Sequence, residues 1–150
     1  MKFGTKSKIK TKKTMLFVCV CVENAGRSQT TEGFFRKYAP EEHEPVSTGT
    51  KPVSQVNPFA VQVMNEVGIN ISKQKSKDLT DDMIRNSEKI INMGCMDKNF
   101  CPTMFIPKVV YWGIEEDPKG KPIEKIREIR SEIEKRVIEI VKELEKEIAT

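Results

Sequence analysis

The stretch Met15-Leu-Phe-Val-Cys-Val-Cys21, followed by Val-Glu-Asn-Ala-Gly-Arg27-Ser28, decides the fold. Its first part is a continuous apolar run rich in β-formers, the pattern of a central strand covered on both faces. A glycine-bearing turn ends the run, and Ser28 to Tyr38 reads as a helix with Phe34, Phe35 and Tyr38 on its apolar side and Pro40 as its stop. In such a strand-loop-helix unit, successive backbone N–H groups can curl around an anion while the helix N-terminus adds partial positive charge. Val22, Glu23, Asn24, Ala25, Gly26 and Arg27 are therefore the candidate oxyanion cradle. Gly26 lets the backbone turn tightly, and the planar fork of Arg27 can bond two oxygens of a tetrahedral anion at once. The same field depresses the pKa of Cys21, making it a candidate thiolate nucleophile at neutral pH. Ser28 can donate a hydrogen bond to that sulfur, and Asn24 can hold the loop with its amide. The bare C-x5-R spacing is a weak signal, because arginine is common. A strand before it, glycine and serine flanking the arginine, and a helix after it make the signal specific.

Downstream, Pro45-Val-Ser-Thr48 reads as a short strand closed by Gly49, and Asn57-Pro58 supplies an N-cap with proline in the first helical position. Ala60, Val63, Met64 and Val67 recur at helical spacing, with Gly68 where a left-handed cap is needed. Thr80-Asp81-Asp82 opens a third, short helix, and Lys89–Met93 and Lys108–Tyr111 are the remaining strand candidates. From Pro122 onward Ile123, Ile126, Ile129, Ile133, Val137, Ile140, Val141, Leu144 and Ile148 form one stripe on a highly charged helix. The stripe drifts from a strict heptad, which favours packing on the sheet over a coiled coil. The expected fold class is α/β, a three-layer sandwich with a four-stranded parallel sheet and helices on both faces. Ligands in such folds bind beyond the carboxyl ends of the strands, where Cys21 lies.

The 150 residues are 37% hydrophobic and 32% charged, which suits one compact domain with an ordinary core. The net charge of +4 misleads, because residues 1–14 hold six lysines and no acid, leaving the rest of the chain at −2. We read 1–14 as a basic, solvated tail and 15–150 as a single domain, with no nucleic-acid partner and no membrane contact. No apolar run is long enough to span a bilayer, and Met15–Cys21 is too short for a signal peptide, so a cytoplasmic protein is expected. His43, the only histidine, lies in an acidic segment and is expected to be solvent-exposed, and Trp112 is expected to be a packing residue. Cysteines in a cytosolic chain are more often reactive or metal-bound than structural. Neither Cys19-Val-Cys21 nor Cys95 to Cys101 has the gap usual in zinc knuckles, and Cys19 is most simply a small buried apolar residue.

The run Phe17 to Gln29, with Val46-Ser-Thr-Gly49, Val56-Asn-Pro58, Met93-Gly-Cys95, Cys101-Pro102 and Trp112-Gly-Ile-Glu-Glu-Asp-Pro118, resembles the low-molecular-weight tyrosine phosphatase superfamily, specifically its thioredoxin-coupled arsenate reductases. The resemblance spans about Met15 to Val141. It implies Cys21 as nucleophile, Arg27 as transition-state clamp, Asn24 and Ser28 as loop and thiolate stabilisers, and Asp117 as the acid-loop aspartate, with Glu115 and Glu116 as solvated neighbours. It further implies a relay in which Cys95 attacks the Cys21 sulfur and Cys101 then attacks Cys95, leaving a redox-active disulfide for thioredoxin. No tightly bound cofactor is implied. Some family members bind a monovalent cation such as potassium near the loop, and Asn24, Glu32 and Ser47 match residues of that site. Thr30 and Thr31 depart from the Met-Ala that relatives often carry.

The phosphatase branch is the alternative. Phosphoester hydrolysis through a Cys21 phosphocysteine needs one cysteine, whereas arsenate reduction needs two electrons, which successive disulfide exchange can supply. Lys119 and Gly120 follow Pro118 where tyrosine phosphatases of the superfamily place aromatic residues, which also favours the reductase. A non-catalytic anion sensor is the third reading. An oxyanion of the arsenate or phosphate type, a thioredoxin-like reductant and a monomeric state complete the expectations.

Overall fold

The computed structural model describes residues 14–21, 25–41, 43–49, 51–93, 109–112, 114 and 119–149, with side chains described outside 14–21 and 147–149. The described elements run β1 (Thr14–Cys21), α1 (Arg27–Tyr38), β2 (His43–Gly49), α2 (Pro58–Asn65), α3 (Asp81–Asn86), β3 (Lys89–Asn92), β4 (Val109–Tyr111) and α4 (Ile123–Ala149). The strands form one sheet in the order β2-β1-β3-β4, and every pairing is parallel. β1 lies between β2 and β3, as its uninterrupted apolar run requires. Its last residue, Cys21, pairs with Gly49 at the end of β2, so both strands deliver their carboxyl ends to the same edge.

The helix starts follow the local chemistry. Asn57 accepts a hydrogen bond from the Phe59 N–H at 2.8 Å with Pro58 in the first turn of α2, and Thr80 accepts from the Met83 N–H at 3.2 Å with Asp81 and Asp82 behind it. α2 is shorter than its apolar spacing suggests. It stops at Asn65, and the Ile69 N–H donates back to the Met64 carbonyl across a turn in which Gly68 takes φ 80°. β2 starts at His43, two residues before the strand expected from Pro45.

The main core joins one face of the sheet to α1, α2 and α4. Phe34, Phe35, Met64, Ile91, Met93, Ile133 and Val137 are fully or almost fully buried in it, and the Phe35 ring stacks on Trp112 with centroids 6.5 Å apart. The α4 stripe is buried from Ile126 to Leu144, so that helix packs on the domain. Ile90, one residue before Ile91, points the other way into a small cluster with Ile84, Leu79, Met83 and Val109. Arg127 and Arg130 of α4 both bond Glu66 at the end of α2, each at 2.8 Å. Arg127 holds the Glu66 carboxyl well down, at about 2. His43 departs from expectation. It is half-buried, and both its ring nitrogens are covered with no hydrogen-bond partner among the described residues.

Candidate active site

α1 begins without an acidic residue in its first turn and without a side-chain cap, so its positive end is not neutralised by its own sequence. Gly26 stands at the cap position with φ −123°, outside the left-handed region. The Gly26 carbonyl accepts from the Thr30 N–H at 2.9 Å, and the Ala25 carbonyl accepts from the Asn57 N–H at 2.8 Å. The second half of the loop is thereby fastened both to its own helix and to the start of α2.

Arg27 is the first residue of α1 and only 5% exposed. Its Nη1 donates to the Ile114 carbonyl, 87 residues away, while its Nε is buried with no partner among the described residues. A buried guanidinium with an unpaired N–H costs free energy unless something accepts from it, and an oxyanion is the natural acceptor. Ser28, beside it, is fully buried. Thr31 Oγ1 donates to the Arg27 carbonyl at 2.8 Å and bonds Met93 Sδ at 3.7 Å, which locks the first turn of α1 to the end of β3. Gln29 Nε2 donates to the Lys75 carbonyl at 3.0 Å, and Gln74 Nε2 donates to Gln29 Oε1 at 2.8 Å, so the 74–79 segment is held against the same turn.

Glu32, one turn further along α1, is 2% exposed, and its carboxylate accepts from Ser47 Oγ at 2.7 Å and the Ser47 N–H at 2.9 Å. Beside the loop lies an open depression of about 390 Å³ whose lining includes Ala25, Val53, Asn57, Phe59 and Lys119. Phe59 is 52% exposed and Val53 39%, so an aromatic and an aliphatic side chain rim the depression from α2 and the segment before it.

Of the expected site residues, the structure brings the end of β1 at Cys21, Ala25, Gly26, Arg27 and Ser28 to one edge of the sheet. The Cys21 side chain, Val22, Glu23, Asn24, Cys95, Cys101, Asp117 and the 1–13 tail lie outside the described residues. Sequence reasoning missed the Ile114 carbonyl, since a main-chain acceptor carries no residue-type signal. It also missed Lys77 and Arg36 beside Glu32, although an arginine four residues after a glutamate on one helix is a visible pair.

The family model for low molecular weight phosphotyrosine protein phosphatases matches residues 15–150. The chain belongs to that family. An arsenate reductase from Staphylococcus aureus is 35% identical over 125 residues, covering 82% of this chain and 92% of that protein. A thioredoxin-dependent arsenate reductase from Corynebacterium glutamicum superposes with a TM-score of 0.76 at 34% identity, covering 92% of this chain. This chain spans about 65% of that neighbour's length. An arsenate reductase solved in its phosphate-binding state superposes equally well, with a TM-score of 0.76 at 28% identity over 86% of this chain and 98% of the other. Membership of the family accounts for the phosphatase-like α/β fold. Among the described residues no helix is long and apolar enough to cross a membrane.

Proposed function

We propose that this protein is a thioredoxin-dependent arsenate reductase. The observation that carries the reading is Arg27, buried at the start of α1 six positions after Cys21, with an Nε that no described residue satisfies. A tetrahedral oxyanion in the cradle of residues 22–27 supplies that acceptor, and it stands where the α1 dipole favours negative charge. The arsenate reductases among its relatives direct the choice of oxyanion.

In this mechanism the Cys21 thiolate attacks arsenic and a hydroxide equivalent leaves with a proton from Asp117, giving a sulfur–arsenic adduct. Cys95 then attacks the Cys21 sulfur. A disulfide forms, the sulfur–arsenic bond breaks, and its electron pair departs with arsenic as arsenite. Cys101 attacks Cys95, which frees Cys21 and leaves the Cys95–Cys101 disulfide for two-electron reduction by thioredoxin. Ser28 stabilises the Cys21 thiolate. Residues 14–150 form the single catalytic domain, a three-layer scaffold of four parallel strands with helices on both faces, and 1–13 is a basic tail, one residue shorter than expected because Thr14 already pairs with His43 in the sheet. The protein acts as a cytoplasmic monomer and needs no tightly bound cofactor.

The test supplies arsenate with thioredoxin, thioredoxin reductase and a nicotinamide reductant. Turnover should be lost in Cys21→Ser, Cys95→Ser and Cys101→Ser, and unchanged arsenite production by Cys95→Ser would defeat the relay. One observation favours a second reading, phosphomonoester hydrolysis: Phe59 and Val53 offer an apolar rim on which an aryl ester could rest. Under that reading Cys95→Ser retains full hydrolysis of a model aryl phosphate.

A further inference from the structure

The family resemblance implies a monovalent-cation site at Asn24, Glu32 and Ser47, and the donor set around Glu32 does not suit one here. Asn24 lies outside the described residues. Both oxygens of the buried Glu32 carboxylate are already engaged. Oε1 accepts from Ser47 Oγ at 2.7 Å, from the Ser47 N–H at 2.9 Å and from Lys77 Nζ at 3.5 Å, and Oε2 accepts from Arg36 Nε at 3.1 Å. The Ser47 hydroxyl thus spends its proton on Glu32, and the carboxylate has two cationic neighbours. A potassium ion bound to Glu32 Oε1 and Ser47 Oγ would stand against an ammonium already bonded to the same oxygen, and like charges in a poorly solvated place repel strongly.

We propose that the Lys77 ammonium is this protein's built-in replacement for the monovalent cation, so that folding and oxyanion binding are independent of potassium. Lys77 is placed for that role by its backbone. Its carbonyl accepts from the Gly49 N–H at 2.8 Å, the Leu79 N–H donates to the Gly49 carbonyl at 3.2 Å, and Asp78 bridges Gly49 as an extension of the sheet. Gly49 is two residues after Ser47 and pairs with Cys21, so the segment that carries the ammonium is fastened to the strand end beside the nucleophile. Lys77 Nζ also donates to the Lys75 carbonyl, and Gln29 holds that same carbonyl from the first turn of α1. The ammonium therefore ties α1, β2 and the 74–79 segment together at the base of the oxyanion loop. A tethered cation does this without the concentration dependence of a bound ion.

The inference concerns the same loop as the proposed reaction but not its chemistry, and it is tested without turnover. Thermal unfolding of the wild type and of Lys77→Met is measured in potassium, sodium and choline chloride at equal ionic strength. Phosphate affinity is measured in the same salts. Expected for the wild type is a midpoint within about 1 °C and a phosphate affinity within about twofold across the three salts. Lys77→Met should melt lower in choline and recover saturably as potassium replaces it. A wild-type midpoint that climbs saturably with potassium but not with choline overturns the proposal, and so does a Lys77→Met protein as indifferent to potassium as the wild type. Should Lys77→Met fail to fold, Lys77→Gln takes its place, and the wild-type salt comparison decides on its own. Loss of arsenate turnover in every salt would count against the reductase and leave these melts unaffected.

Discussion

Replacing Arg27 by lysine keeps the charge and removes the fork. In the structure the guanidinium has one terminal N–H on the Ile114 carbonyl and a buried Nε with no partner among the described residues. That Nε remains for an oxyanion. A lysine ammonium in the same pocket is a single point charge without the planar fork, so it cannot hold the Ile114 carbonyl and still present parallel donors to two oxygens of the anion. At least one charge-assisted bond to the anion is lost, about 1.5–3 kcal/mol in a ground state. Removing a preorganised donor to a developing oxyanion costs about 2.7–4 kcal/mol. We take about 3 kcal/mol as the net loss, which corresponds to a fall of roughly 150-fold in kcat/KM. Stability should change far less, because the nitrogen can still reach the carbonyl in the absence of substrate. A drop of about 1 kcal/mol, or about 2–4 °C in Tm, is expected. The assay is thioredoxin-coupled arsenate reduction at 25 °C beside a thermal melt of each protein. An Arg27→Lys enzyme within about threefold of wild type would refute the fork argument, since it would mean that charge alone suffices.

Gly33→Ala places a Cβ at 2.8 Å from Ile71 Cγ2 and 3.1 Å from Met64 Cε, both on fully buried residues. Overpacking of about 1–3 kcal/mol should outweigh the gain of up to about 1 kcal/mol in helix propensity, and a lowered urea midpoint checks it. Ile133→Ala, at a fully buried position of α4, should cost about 2–5 kcal/mol by the same measurement. Glu66 is held at about 2, chiefly by its hydrogen bond to Arg127, against an ordinary value of 4.5. Its contribution is therefore complete above pH 4.5 and is lost as pH falls toward 2, so Glu66→Gln should flatten the pH dependence of the midpoint in that window.

What could be read from residues alone was what periodicity and local chemistry encode. The β1 run, the caps at Asn57 and Thr80, the α4 stripe and the position of Arg27 all rest on neighbours within a turn or two of chain. The contacts that escaped are long-range and chemically anonymous. Arg27 meets a main-chain oxygen, and Lys77 reaches Glu32 only because the 77–79 backbone adds to the end of β2. Tyr38, read simply as one more apolar contact of α1, turns its hydroxyl to Glu134 of α4 at 2.6 Å, which raises its pKa. Neither that pairing nor the 2-1-3-4 strand order has a signature in spacing. His43 was misjudged because an acidic neighbourhood in sequence says little about which way the first residue of a strand will face.

Ile90 and Ile91 sit side by side in β3 yet answer to unequal partners. Behind Ile91 stand three helices, one of them 27 residues long, whereas among the described residues Ile90 is sheltered by a six-residue helix and a handful of apolar side chains. Cooperative opening starts where the least apolar surface must be exposed. Of the described helices, α3 should therefore open first. Amides of α3 would trade hydrogen for deuterium well before those of α1 and α4, and a protease would find its first purchase on that flank.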